Sequence, residues 1–278
     1  AGGLTSDSVT MVTGDIRFSE ETGKGSGTDN IKFADEPDNQ TAKTFNSTLT
    51  GERLKDLEYV MGGVVKDGTY KFTENTAINV SGEGAKGMNF VKDTAVDASG
   101  KTLSVNVTEA SKGNAGISQD VDVNSTIKAD KLVIKSSSEY AGKNSGIYAG
   151  DWNTTRKNVN ITADVDITST NTVGNNNYVY GVLASKADIT VNGNLKANID
   201  GGKGGYDHTS VSALIAQGSS YRKYASTITV NGDVDITANG NGLHANNNGA
   251  VVTVNGGGAI TINDSSAKGG YAALRAGN

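Results

Sequence analysis

Residues 226–237 read STITVNGDVDIT, and close variants stand at 188–199 (DITVNGNLKANI) and 158–168 (NVNITADVDIT). Each alternates apolar and polar residues around a short corner, which is the period of a β-strand. In the first, Ile228 and Val230 face one side and Thr227 and Thr229 the other. After Asn231-Gly232 turns the corner, Val234 and Ile236 face inward again. One such arc cannot bury its apolar row alone, whereas an arc stacked on a copy of itself can.

A second phrase repeats with the arcs: GMNF at Gly87, GISQ at Gly116, GIYA at Gly146, GVLA at Gly181, ALIA at Ala213, GLHA at Gly242 and ALRA at Ala273. The spacings are 29, 30, 35, 32, 29 and 31 residues. Coils of this length, stacked about 4.8 Å apart, make a parallel β-helix one aliphatic residue deep, with its hydrogen bonds along the axis. The reading is therefore all-β, a right-handed parallel β-helix (solenoid) over 81–278 with loop insertions at one corner, such as NTVGNNNYVY and GGKGGYDHTS. Asn192, Asn231 and Asn255 share one corner position, where their amides are expected to stack as an internal ladder. Gly193, Gly232 and Gly256 follow, where a tight corner asks for a permissive backbone.

Residues 1–80 fit the register poorly. They hold the only proline, Pro37, and an acidic excess, with 11 acids against 6 bases in residues 1–60 and 19 of each in the rest. GERLKDLEYVMGG brings Leu54, Leu57 and Val60 to one side of a short helix. This part is read as an N-terminal cap or a set of atypical first coils. The chain stops inside a repeat after ALRAGN, and AGGLTS reads as a trimmed start, so a longer parent protein is expected.

Composition agrees with an ordered but thin core: of 278 residues only 35% are apolar and 6% aromatic, while 37 are glycine. With no cysteine, disulfides and thiolate sites are excluded. A net charge of −5, with the long C-terminal part neutral, presents neither a nucleic-acid footprint nor a basic membrane patch. No apolar run approaches the ~18 residues of a membrane helix.

The ITVNG and DVDIT arcs, followed by GIYAG, GVLAS and GLHAN, resemble the degenerate coils of adhesin-type passenger domains of type V autotransporters. The resemblance covers roughly 80–278. It implies secretion and display at the bacterial surface through a C-terminal outer-membrane β-barrel, and a role in adhesion or self-association. The implied partners are another copy of the chain on a neighbouring cell, or a host surface protein or glycan.

Motifs that suggest chemistry have structural readings. Asp120/Asp122, Asp164/Asp166 and Asp233/Asp235 point outward, but aligning the arcs puts Lys196 between Asp166 and Asp235, and Asn194 between Asp164 and Asp233. Such interleaving is what a stacked surface needs to avoid repulsion between like charges. GGKGGYD at 201–207 departs from a calcium-binding glycine-rich repeat, because Tyr206 stands where the aspartate belongs. His208 and His244 are the only histidines, neither with a nucleophile elbow, and both read as surface residues. No catalytic, cofactor or metal site is assigned.

Alternation puts Ile147, Val182, Leu214, Leu243 and Leu274 inside, so the outward column reads Asn89, Ser118, Tyr148, Leu183, Ile215, His244, Arg275. Its large apolar members are unusual for a monomer's surface. Inserted loops folding over them is the preferred reading, and a docking strip at Leu183 and Ile215 is the alternative. Aromatics gather in the insertions, and Tyr178, Tyr180, Tyr206, Tyr221, Arg222 and Tyr224 form the candidate recognition patch. Adhesion leads. A β-helix polysaccharide lyase or hydrolase, which would need acids and a Lys or Arg converging on one strand column, ranks second, and an inert surface stalk third.

Overall fold

The computed structural model describes residues 9–12, 16–17, 64–65, 68–72, 75–81, 86–90, 93–108, 114–119, 122–138, 143–150, 157–171, 178–202, 209–218, 226–247, 249–263 and 270–277. The helix expected within 51–63 lies outside them, and no helix occurs among the described residues. The strands are β1 (Val9–Val12), β2 (Ile16–Arg17), β3 (Val64–Val65), β4 (Gly68–Phe72), β5 (Thr76–Ser81), β6 (Lys86–Phe90) and β7 (Thr94–Thr108). They continue with β8 (Asn114–Gln119), β9 (Asn124–Ser138), β10 (Lys143–Gly150), β11 (Lys157–Asn171), β12 (Tyr178–Ser185), β13 (Ala187–Asn192) and β14 (Leu195–Asp200). The last are β15 (Val211–Gln217), β16 (Ser226–Val230), β17 (Val234–Ala238), β18 (Asn241–Asn246), β19 (Ala250–Val254), β20 (Gly258–Ile262) and β21 (Leu274–Gly277).

These strands form two sheets that face each other across one thin core, the arrangement of a parallel β-helix. One sheet has eight strands in the order β21-β18-β15-β12-β10-β8-β6-β3. The other has thirteen and runs along β1-β4-β7-β9-β11-β13-β16-β19, with β14, β17 and β20 as a second arm. Every pairing among the described strands is parallel. Within residues 1–80, β1 pairs β4 and β2 pairs β5, so those stretches belong to the same sheet.

The core consists of columns in which each apolar residue sits on its counterpart in the next coil. One column is Val96, Ile127, Ile161, Val191, Val230 and Val254. A second is Val105, Ile134, Ile167, Ala197, Ile236 and Ile260. The eight-stranded sheet contributes Met88, Ile117, Ile147, Val182, Leu214 and Leu243, whereas Leu274, expected inside, continues the register on the last described rung but is exposed. Val230 is fully buried, and Leu243 packs against the core. β-Branched residues dominate because their stiff side chains fit a pleated surface that repeats without change.

The glycine of the second phrase sets how closely the two sheets approach. A Cβ at Gly146 would lie 2.5 Å from Ile167 Cγ2 and 2.7 Å from the carbonyl oxygen of Gly181. At Gly242 it would lie 2.6 Å from Ile260 Cγ2 and 2.5 Å from the carbonyl oxygen of Ala273. Glycine on one wall thus makes room for isoleucine on the other.

Two substitutions test this packing by chemical denaturation. Ile161→Ala, which empties one core rung, is expected to cost about 2–5 kcal/mol. Gly146→Ala, which overfills the opposite wall, is expected to cost about 1–3 kcal/mol although it adds apolar surface. A Gly146→Ala chain as stable as the parent would show that the walls are not in contact there.

Candidate functional site

The outer walls carry the polar chemistry, and they carry it in columns. At the Asn-Gly corner Asn192 Nδ2 donates to Asn160 Oδ1 at 2.9 Å, Asn231 Nδ2 to Asn192 Oδ1 at 2.6 Å, and Asn255 Nδ2 to Asn231 Oδ1 at 2.7 Å. The amide ladder expected from the sequence is present but lies on the outside, with Asn231 and Asn255 exposed. The inward position is taken by the neighbouring valines, because alternation cannot turn both residues into the core.

The glycines that follow have a further cause beside the one expected, for only Gly193 of the three has a positive φ. A Cβ at Gly193, Gly232 or Gly256 would collide with the carbonyl oxygen of Ala163, Gly193 or Gly232 in the preceding coil. Close stacking of the corners demands glycine at all three, and the backbone conformation demands it as well at Gly193.

One residue further on, a second ladder joins side chains to backbone. The Asn194 N–H donates to Asp164 Oδ1 at 2.9 Å, the Asp233 N–H to Asn194 Oδ1 at 2.9 Å, and the Gly257 N–H to Asp233 Oδ1 at 2.8 Å. The register places Lys196 between Asp166 and Asp235, as the aligned arcs require. Asp164 and Asp233 are thereby used to join coils. Asp120 lies outside the described residues. Among the described residues, no group of three or more His, Asp or Glu is placed to hold a metal ion.

The outward column of the eight-stranded sheet is mostly closed to water. Leu183 is 2% exposed and Ile215 0%, and together with buried Tyr180 and partly buried Tyr148 and Tyr178 they form a second, smaller apolar cluster outside the main core. The docking strip at Leu183 and Ile215 is therefore corrected: both are covered, as three consecutive large apolar rungs would otherwise face water. Tyr180 is likewise a buried packing residue, which leaves Tyr178 the most open described member of the candidate patch. Tyr206, Tyr221, Arg222, Tyr224 and His208 lie outside the described residues.

His244 also departs from its surface reading, being only 1% exposed. Its Nδ1 lies 3.2 Å from Ser212 Oγ and 3.5 Å from Asn241 Nδ2, and Ser212 and Asn241 are fully buried. Ser212 and His244 have the spacing of a nucleophile and its base, and both are buried.

Two buried corners carry polar residues that sequence reasoning missed. Asn144 Nδ2 donates to the Ser136 carbonyl at 2.8 Å and the Thr170 carbonyl at 2.9 Å, tying two coils together. Gln119 Nε2 donates to the carbonyls of Val123 at 2.6 Å and Asn158 at 3.1 Å, and Gln119 accepts from Ser125 Oγ at 2.5 Å. The available signal was a polar side chain ending an otherwise apolar alternation. Ser118 Oγ and Asn89 Oδ1, neighbours in the outward column, are buried with no hydrogen-bond partner among the described residues. A shallow groove at the last corner is lined by Asn198, Asp200, Thr237, Asn239 and Asn263. Asn239 and Asp200 serve the fold: Asn239 Nδ2 donates to Asp200 Oδ1 at 2.7 Å, and Asn239 Oδ1 accepts from the Gly201 N–H at 2.6 Å.

Comparison with protein-family models, curated proteins and solved structures finds no match to this chain.

The two kinds of polar tie are expected to differ in worth. Asn144→Ala strands buried carbonyls and is expected to cost about 1–3 kcal/mol, whereas Asn231→Ala, at an exposed rung that water can satisfy, is expected to cost about 0.5–1.5 kcal/mol. Thermal melts of the two variants measure the contrast, and equal losses would place the ladder's strength in its amides.

Proposed function

We propose that the chain is the passenger of a bacterial autotransporter, displayed at the cell surface or secreted, that acts in adhesion or cell-to-cell self-association. The observation that supports this reading is that wall chemistry repeats by rung and does not converge on a point. Asp166, Lys196 and Asp235 interleave along one column, and Asn160, Asn192, Asn231 and Asn255 run along another. A surface of this kind offers many weak, equivalent contacts along an axis, which suits multivalent attachment. The partner is a second copy of the chain on a neighbouring cell, or a host surface protein or glycan. Outer-membrane anchoring comes from a β-barrel in the full-length protein.

The lyase or hydrolase alternative calls for carboxylates and a basic residue gathered around one reacting position. Asp164 and Asp233 are instead spent on backbone N–H groups of the next coil, which favours a binding role. An inert stalk shares the same architecture and is separated only by assay.

Display of the chain on a non-aggregating cell decides among the three. Adhesion predicts settling of the displaying cells, or retention on a host-cell layer, that purified chain competes away. Release of reducing ends from a glycan panel without settling would instead establish an enzyme, and neither effect would leave a stalk.

A further inference from the structure

We propose that Asn255 is a modification site: it loses its side-chain amide spontaneously to Gly256, and the loss then passes inward along the amide ladder to Asn231. Six Asn-Gly pairs occur in the chain, at Asn192, Asn231, Asn239, Asn241, Asn248 and Asn255. Asparagine is chemically labile, and most so before glycine, where no side chain keeps the next peptide nitrogen from the amide carbon. The corners need asparagine for the ladder and glycine for close stacking, so the fold builds them from this perishable pair.

The reaction needs only the chain and water. The Gly256 nitrogen bonds to Asn255 Cγ, the Cγ–Nδ2 bond breaks, and ammonia leaves with the proton from the Gly256 nitrogen. Water then opens the cyclic imide at either carbonyl, giving aspartate or isoaspartate. Both products add a negative charge, and isoaspartate also adds a methylene to the backbone.

To close the ring the side chain must swing toward its own backbone, so each hydrogen bond that holds the amide elsewhere opposes the step. Asn192 and Asn231 are held on both sides, each donating to the rung before and accepting from the rung after. Asn239 accepts from the Gly201 N–H and donates to Asp200 Oδ1. Asn241, fully buried, accepts from the Ala272 N–H at 3.0 Å and donates to Ser212 Oγ at 3.3 Å. Asn248 lies outside the described residues. Asn255 is exposed and held on one side only: its Nδ2 donates to Asn231 Oδ1, while its Oδ1 accepts from no group among the described residues. The Gly256 N–H must also leave the Gly232 carbonyl, 3.1 Å away. That coil, with β19 and β20, has a described neighbour on one side only, where local opening costs least.

Conversion of Asn255 removes the donor to Asn231 Oδ1 and sets a carboxylate against that oxygen. Asn231 is then held on one side only and becomes the next site. The change travels toward Asn192 one rung at a time, and like charges on adjacent rungs repel.

Incubation of the folded chain at mildly alkaline pH, followed by tryptic digestion and fragmentation mass spectrometry, tests this against the urea-unfolded chain. The stretch from Tyr224 to Lys268 has no internal Lys or Arg, so Asn231 and Asn255 are read in the same molecule. In the folded chain Asn255 is expected to convert at least about tenfold faster than Asn192, Asn231, Asn239 and Asn241, and unfolding brings these sites to comparable rates. Conversion elsewhere that keeps pace with Asn255, or an inert Asn255 where the unfolded chain reacts, would overturn the site. Molecules altered at Asn231 are expected to be altered at Asn255 as well, and a population with Asn231 converted and Asn255 intact would overturn the inward passage. Asn255→Asp is expected to quicken Asn231 about tenfold, since the protecting bond is already gone. An unchanged Asn231 rate in the folded variant would count against the passage equally, and if the variant fails to fold, the order within parent molecules decides it.

Discussion

Everything in this structure depends on one residue sitting on its own counterpart a strand spacing away. A β-sheet extended along an axis brings residues of equal coil position together, so each column is a row of near-identical neighbours. For valine and isoleucine this is favourable at every rung, since each side chain supplies the surface that buries the next. The same rule makes like charges costly, and it explains why Asp166 and Asp235 are separated by Lys196.

Stacking also decides what the corners contain. Asparagine carries a donor and an acceptor in one amide plane, so each member of a row of asparagines can donate to one neighbour and accept from the other. Aspartate serves where the donor above is a backbone N–H, as at Asp164 and Asp233. Glycine enters wherever two backbones approach within the reach of a Cβ, both at the Asn-Gly corners and against isoleucine across the core. The abundance of asparagine and glycine in the composition is thus a consequence of the architecture, and the thin core leaves few sites for large apolar residues.

The outer face of the eight-stranded sheet departs from this uniformity. There Tyr180, Leu183 and Ile215 make a second buried cluster, and His244 continues the column into a polar pocket with Ser212 and Asn241. Buried polar groups of this sort carry a sharper cost when disturbed than the exposed ladders, because water cannot replace a lost partner. The fold therefore combines a tolerant wall, where each rung contributes little, with a few intolerant positions inside.

The coil period, the inward columns and the interleaved charges of the DVDIT arcs were legible in the sequence, because period-2 alternation assigns each residue of a strand to a wall before any contact is known. The amide ladder was legible as a row but not as an outer one. What the sequence left open was whether an outward residue meets water. Leu183, Ile215 and His244 are outward by parity and buried in fact, and parity is blind to whatever covers a wall. Nor could sequence separate a glycine needed for a bend from one needed for a close approach, since the second depends on a carbonyl some thirty residues away. Local periodicity determined the direction of each side chain, and only the stacked tertiary structure determined what each side chain meets.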